Sequence, residues 1–170
     1  MAASTDRLVE VYRVHPAALG VAALASLVLQ SFLPLKLPLA RLMDFPLLVT
    51  IYFALVRRNK VFGMGLGAAL GLLQDALTHG YIGTHGIAKT LVGYLAASAS
   101  ARFELESILA RSVLTGVFVL IHSLCLAGLQ HALLEFPPPF RPLDVASTIL
   151  VNVALGLVIF LLLDRFKHPA

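Results

Sequence analysis

Apolar residues run through this chain in long blocks, not in the alternating or one-sided stripes of a domain that faces water. Six blocks stand out, at residues 16–33, 45–56, 61–77, 84–100, 108–134 and 143–163, separated by short polar or proline-containing stretches. A helix needs about 20 mainly apolar residues to cross the hydrocarbon core of a bilayer, within a range of about 17–25. The first block (PAALGVAALASLVLQSFL) meets this and is predicted to stop at Pro34. The second is short. Residues 35–43 (LKLPLARLM), interrupted by Lys36, Pro38 and Arg41, read as an interfacial or re-entrant approach to it. The fifth block is long enough to tilt. Residues 135–141 (EFPPPFR) cannot continue a helix, because each proline lacks an N–H and clashes with the preceding turn. The pattern predicts an all-α polytopic membrane protein with about six transmembrane helices, forming a single membrane domain over residues 1–170.

Composition excludes the alternative of a soluble domain. Apolar residues make up 59% of the chain, and the 12 glycines bring this to about two thirds. A soluble domain lies near ~45–50% on that wider count, with ~25% charged residues; here 13% are charged and the mean hydropathy is +0.90. A chain of this size buries only about ~70% of its unfolded surface, too little to hide so much apolar area from water.

Lysine and arginine near span ends favour the cytoplasmic side. One face carries Arg7, Arg13, Arg57, Arg58, Lys60, Arg102, Arg111, Arg165 and Lys167; the other carries Lys36, Arg41 and Arg141. Nine against three predicts both chain ends in the cytoplasm. The net charge of +4 is too small and dispersed for a nucleic-acid footprint. Cys125, alone in an apolar run, forms neither a disulfide nor a cysteine metal site and reads as a small hydrophobe. The first fifteen residues mix charges of both signs and have no apolar core, so no cleavable leader is expected. Residues 6–15 set Leu8, Val11 and Tyr12 opposite Arg7, Glu10 and Arg13, which fits a short amphipathic helix on the membrane surface or a partly ordered tail.

Some residues exceed what hydropathy demands. Gly63, Gly67 and Gly71 recur every four residues on one helix face, where a neighbouring backbone can approach closely. That face serves either another helix of this chain or a partner protein. Ala18, Ala22 and Ser26 form a weaker ladder on the first span. Gln74 and Asp75 end the third span, Gly83 and His85 follow, and Lys89 lies about one turn into the fourth. An ionisable group in a span costs at least about 2.5–3.5 kcal/mol and so faces protein or water with a partner. In an antiparallel hairpin Asp75 and Lys89 lie at similar depth, so one reading pairs them or gives them a shared polar pocket. The other has Asp75 cap a helix end while Lys89 reaches the headgroups. His122 and His131, nine residues apart, do not match the three- or four-residue spacing of helical metal ligands. They read as hydrogen-bonded membrane histidines, and Asn152 as interhelical glue. No metal, cofactor or enzymatic activity is expected, since no nucleophile elbow, phosphate loop, HExxH or paired carboxylates occur in a span.

The stretch 63–95 (GMGLGAALGLLQDALTHGYIGTHGIAKTLVGYL) resembles the MreD family of bacterial rod shape-determining membrane proteins. The resemblance rests on a glycine-rich third span ending in Gly71-Leu72-Leu73-Gln74-Asp75, a loop glycine at Gly83, and then Gly93-Tyr94-Leu95. Asp44 and Pro46 resemble the family's entry to the second span, although Phe45 separates two residues that are adjacent in the family pattern. Tyr52 through Arg57 and Arg58 resembles its basic exit.

The resemblance implies a non-enzymatic scaffold of the cell-elongation complex in the cytoplasmic membrane. Its direct partner would be MreC. RodA, a penicillin-binding transpeptidase and MreB would belong to the same complex, for lateral peptidoglycan synthesis. It also implies a fold similar to the S-components of energy-coupling-factor vitamin transporters, with an outward pocket near Gln74, Asp75 and Lys89. A small-molecule-binding subunit of that kind is the alternative function.

Overall fold

The computed structural model describes residues 13–14, 16–78, 81–100, 107–135, 137–165 and 167–168. Six α-helices follow one another: α1 (Pro16–Lys36), α2 (Phe45–Arg57), α3 (Lys60–Leu77), α4 (Thr84–Ala99), α5 (Ile108–Leu133) and α6 (Pro142–Asp164). A 3-10 turn, Pro38–Leu42, links α1 to α2. The extended pairs Arg13–Val14 (β1) and Lys167–His168 (β2) bridge antiparallel, so the segments flanking α1 and α6 meet at one end of the bundle. Arg13 is thus extended, not helical. The rest of the amphipathic stretch 6–15, apart from Val14, lies outside the described residues, as do His79, Gly80 and Arg102.

α1, α5 and α6 are long and apolar enough to cross a bilayer, and only 11%, 22% and 17% of their most apolar windows are buried in the bundle. Val21, Leu24, Val28 and Phe32 form an exposed stripe along α1, and Leu150, Val158, Leu161 and Leu162 lie bare on α6. Apolar surface on that scale needs lipid for solvent. The protein is a membrane protein turned inside out relative to a soluble bundle: its polar side chains gather within.

α2 is the inverse of these outer helices. Its residues from Phe45 to Leu55 are buried, with Leu47, Leu48, Ile51, Phe53 and Ala54 fully enclosed. A helix that is hydrophobic all round belongs in a core. Its 13 residues span only about 20 Å, against a hydrocarbon core of about 30 Å. Its first turn therefore begins inside the bundle. Pro46 suits that first turn, where its missing N–H is not needed. The segment before it fills the remaining depth: Ala40 of the 3-10 turn is buried, and the turn packs on α1 and α6. The prediction that α1 stops at Pro34 is corrected. α1 runs on to Lys36, because Pro34 disturbs only the last turn, where few further hydrogen bonds depend on it.

α3 and α4 form the closest pair. A Cβ placed on Gly63, Gly67 or Gly71 would run into the backbone of Gly93, Lys89 or His85–Gly86, respectively; at Gly71 it would lie 2.6 Å from the Gly86 Cα. The three glycines match an antiparallel four-residue register on α4. Their face is consumed within the chain, so the reading of Gly63, Gly67 and Gly71 as a surface for a partner protein is corrected. Ala18 and Ala22 pack on the core, and Ser26 is buried with its hydroxyl donating to Ala23 O at 2.7 Å, so that ladder also faces inward.

Gly65, by contrast, has open space where a Cβ would go. Gly65→Ala should leave stability within about 1 kcal/mol, on the favourable side, while Gly67→Ala costs about 1–3 kcal/mol and Gly67→Leu prevents folding. Thermal unfolding of the purified variants in detergent checks this; equal tolerance at the two positions would contradict the packing.

Candidate functional site

The shortness of α2 places its N-terminus at about the midpoints of α5 and α6, where its first backbone N–H groups have no intrahelical partners. Side chains from the other helices supply the partners. Asp44, the N-cap residue, accepts from Leu47 N at 3.0 Å through Oδ1. Asn152 of α6 accepts from Asp44 N at 2.8 Å and donates to Leu42 O at 2.6 Å. Gln30 of α1 accepts from Phe45 N at 3.0 Å and donates to Met43 O at 3.2 Å. Asn152 is thus the interhelical tie expected of it.

The second carboxylate oxygen of Asp44 receives Lys89 Nζ of α4 at 2.5 Å, and the same ammonium lies 3.3 Å from His122 Nε2 of α5. Lys89 is fully enclosed and His122 is buried. The proposed Asp75–Lys89 pair is therefore corrected: Lys89 pairs with Asp44, and it does not snorkel. An ammonium only donates, so His122 Nε2 accepts and its Nδ1 carries the proton. His131, by contrast, is exposed.

Asp75 has a different task. Gly83 adopts a left-handed φ of 102° at the N-cap of α4 and brings no side chain to cap it. Asp75 supplies the cap from α3, accepting from Gly83 N at 2.8 Å and from His85 N and Gly86 N at 3.3 Å each. A carboxylate there also faces the positive end of the helix dipole. His85 Nδ1 completes the set at 2.7 Å from Asp75. The expectation that Asp75 caps a helix end thus holds for its neighbour's end.

Five elements meet at this hub: Gln30 of α1, the α2 cap Asp44, Lys89 of α4, His122 of α5 and Asn152 of α6, with Asp75 of α3 capping α4 beside them. Above it opens a cavity of about 290 Å³. Its walls include the α1–α2 and α5–α6 connections, Gln74 of α3 and His85 of α4, so its mouth lies at the end of the bundle away from the paired chain ends. Gln74 is buried, and its Oε1 has no hydrogen-bond partner. A second polar group ties the opposite end: Tyr52 donates to Asp164 at 3.0 Å, and Arg111 pairs with the same carboxylate. Tyr94, in the resembling Gly-Tyr-Leu element, is half-exposed beneath Lys60, whose Nζ lies 5.6 Å from the ring centre. Among the described residues no group of three or more His, Cys, Asp or Glu is placed to hold a metal ion.

Residues 15–166 match the family described as rod shape-determining protein MreD. The chain belongs to the MreD family. The match covers nearly all of it, all six helices included, and carries a role in rod shape determination. Searches of curated proteins and of solved structures found no match. In this member of the MreD family the motif residues divide cleanly. Gly71 and Gly93 pack helices, Gly83 turns the chain, and Asp44 and Asp75 each cap a helix.

Sequence reasoning passed over Gln30 and set Asp44 apart from Lys89. One signal was present: a 12-residue apolar block preceded by an acid places that acid at mid-depth.

Breaking the Asp44–Lys89 pair strands a buried charge. Lys89→Met should cost about 3–5 kcal/mol, and adding Asp44→Asn should recover part of the loss. A charge swap of Asp75 with Lys89 should give no rescue. Thermal melts of the single and double variants measure this, and rescue by the swap would refute the assignment.

Proposed function

We propose that this protein is a non-enzymatic scaffold of the bacterial cell-elongation complex, seated in the cytoplasmic membrane with both chain ends in the cytoplasm. It binds MreC, a bitopic protein, and in the same complex as RodA, a penicillin-binding transpeptidase and MreB it helps organise lateral peptidoglycan synthesis. The observation that carries this reading is family membership over residues 15–166. The nine-to-three distribution of Lys and Arg supports the orientation.

Physical features favour a scaffold. The glycine and alanine faces are spent on internal packing, which makes the bundle rigid and leaves the lipid-facing side chains to meet neighbours. A broad apolar recess lies between α4 and α5, about 1110 Å³, bounded by Leu95, Val113, Leu114, Val117 and Ile121. A single membrane-spanning helix of MreC fits this recess by chemistry, since packing against it adds van der Waals contact to exposed Val113 and Val117 and to the partly buried Leu95, Leu114 and Ile121. The second reading, a vitamin-binding subunit of S-component type, has the polar cavity in its favour; stable retention of a vitamin through purification would support it.

Affinity capture from membranes with mass spectrometry tests the scaffold. A single-span periplasmic protein of MreC type should co-purify, and Val113→Trp or Val117→Trp should reduce its yield while the melting temperature holds. Capture of folded protein without such a partner would overturn the reading.

A further inference from the structure

The cavity above the polar hub is more than a gap left by packing. Its floor is built from groups whose inner valences are taken and whose outer ones are not. His85 is held by Asp75 through Nδ1 with Nε2 unengaged, and His122 meets Lys89 through Nε2 with Nδ1 unengaged. Gln74, 4% exposed, brings an amide oxygen with no donor at all. A buried acceptor without a partner is costly and rare in a folded protein. The floor therefore has room for a hydrogen-bond donor that the described residues do not supply.

The mouth has a different character. Only three cations lie on the side of the bundle away from the chain ends, Lys36, Arg41 and Arg141, and two of them, Arg41 and Arg141, line this one cavity. Asp144 also lines it, so the rim is not uniformly positive. Two guanidinium groups at one opening nevertheless suit an oxyanion with bidentate geometry, a phosphate above all. At the floor, the carboxylate of Asp44 is already neutralised by Lys89, and the free acceptors are uncharged. Hydroxyl groups satisfy such acceptors without the desolvation cost of an ammonium. The volume, at the lower limit of ligand sites, restricts the occupant to a small molecule or a headgroup.

We propose that this cavity binds the phosphate ester of a small polyol, with phosphate at Arg41 and Arg141 and hydroxyls at Gln74 and His85. A glycerol phosphate group satisfies both ends, whether free in solution or carried as the headgroup of a membrane lipid. The site does not depend on the docking of any partner protein. It would add ligand occupancy to what a purely structural bundle does.

The test uses the full chain in detergent micelles, titrated calorimetrically with sn-glycerol 3-phosphate, inorganic phosphate and dihexanoyl phosphatidylglycerol. Glycerol phosphate chemistry should bind more tightly than inorganic phosphate, and the lipid or the free ester binding better identifies the source. Arg41→Gln with Arg141→Gln, both at exposed positions, should weaken binding about tenfold or more at an unchanged melting temperature. Gln74→Met should abolish the preference over inorganic phosphate while phosphate itself still binds. If Gln74→Met unfolds the protein, His85→Phe serves for the same comparison. The proposal fails if neither glycerol ester binds, or if their binding survives the arginine and floor substitutions alike.

Discussion

The N-terminus of α2 is the point on which the bundle turns. A 13-residue helix enclosed on all sides starts in the middle of the structure, and its first N–H groups and its capping carboxylate are satisfied there by side chains of the neighbouring helices. Asp44 satisfies the helix and thereby becomes a buried charge. Lys89 neutralises it, His122 accepts from Lys89, and Gln30 and Asn152 hold the chain that enters the helix. Because α1, α4, α5 and α6 each send one side chain to this point, the positions of five helices are fixed together by a demand that none could meet alone. Hydrophobic burial cannot do this in lipid, where apolar side chains are as well solvated outside the bundle as inside.

The glycine ladder is the second condition for that arrangement. Only with hydrogen at Gly63, Gly67 and Gly71 can the α4 backbone lie against α3. That close approach brings Asp75 within reach of the α4 N-terminus, which Gly83 leaves without a cap of its own. Fixing the α4 register in this way sets Lys89 opposite Asp44. Packing and electrostatics are therefore serial: the glycines determine the register, and the register determines the ion pair.

For a protein of the MreD family these features suggest a division of labour. A polar hub is set within an apolar core, the exterior is apolar, and the cavity at one end opens directly onto the hub. Anything bound there would touch His85, His122 and Gln74, residues adjoining the Lys89 pair and the Asp75 cap. A ligand and a lateral partner would thus address the same small bundle through different chemistry, the first by hydrogen bonds at its end, the second by van der Waals contact along its side.

Hydropathy and proline positions alone determined that the chain is helical and membrane-embedded, because lipid demands long apolar runs and proline interrupts them. The four-residue glycine spacing likewise determined that a close helix contact exists. The structure adds local caps at Asp44 and at Asn59, the residue before α3, each accepting from an N–H three residues on. Tertiary structure alone decided which face the glycines meet and which acid Lys89 meets. Asp75 lies 14 positions from Lys89 and Asp44 lies 45, and distance along the chain carries no information about partners once helices pack side by side. The nearer acid was already engaged by backbone N–H groups, and the ammonium went to the carboxylate that the short central helix had carried to its depth.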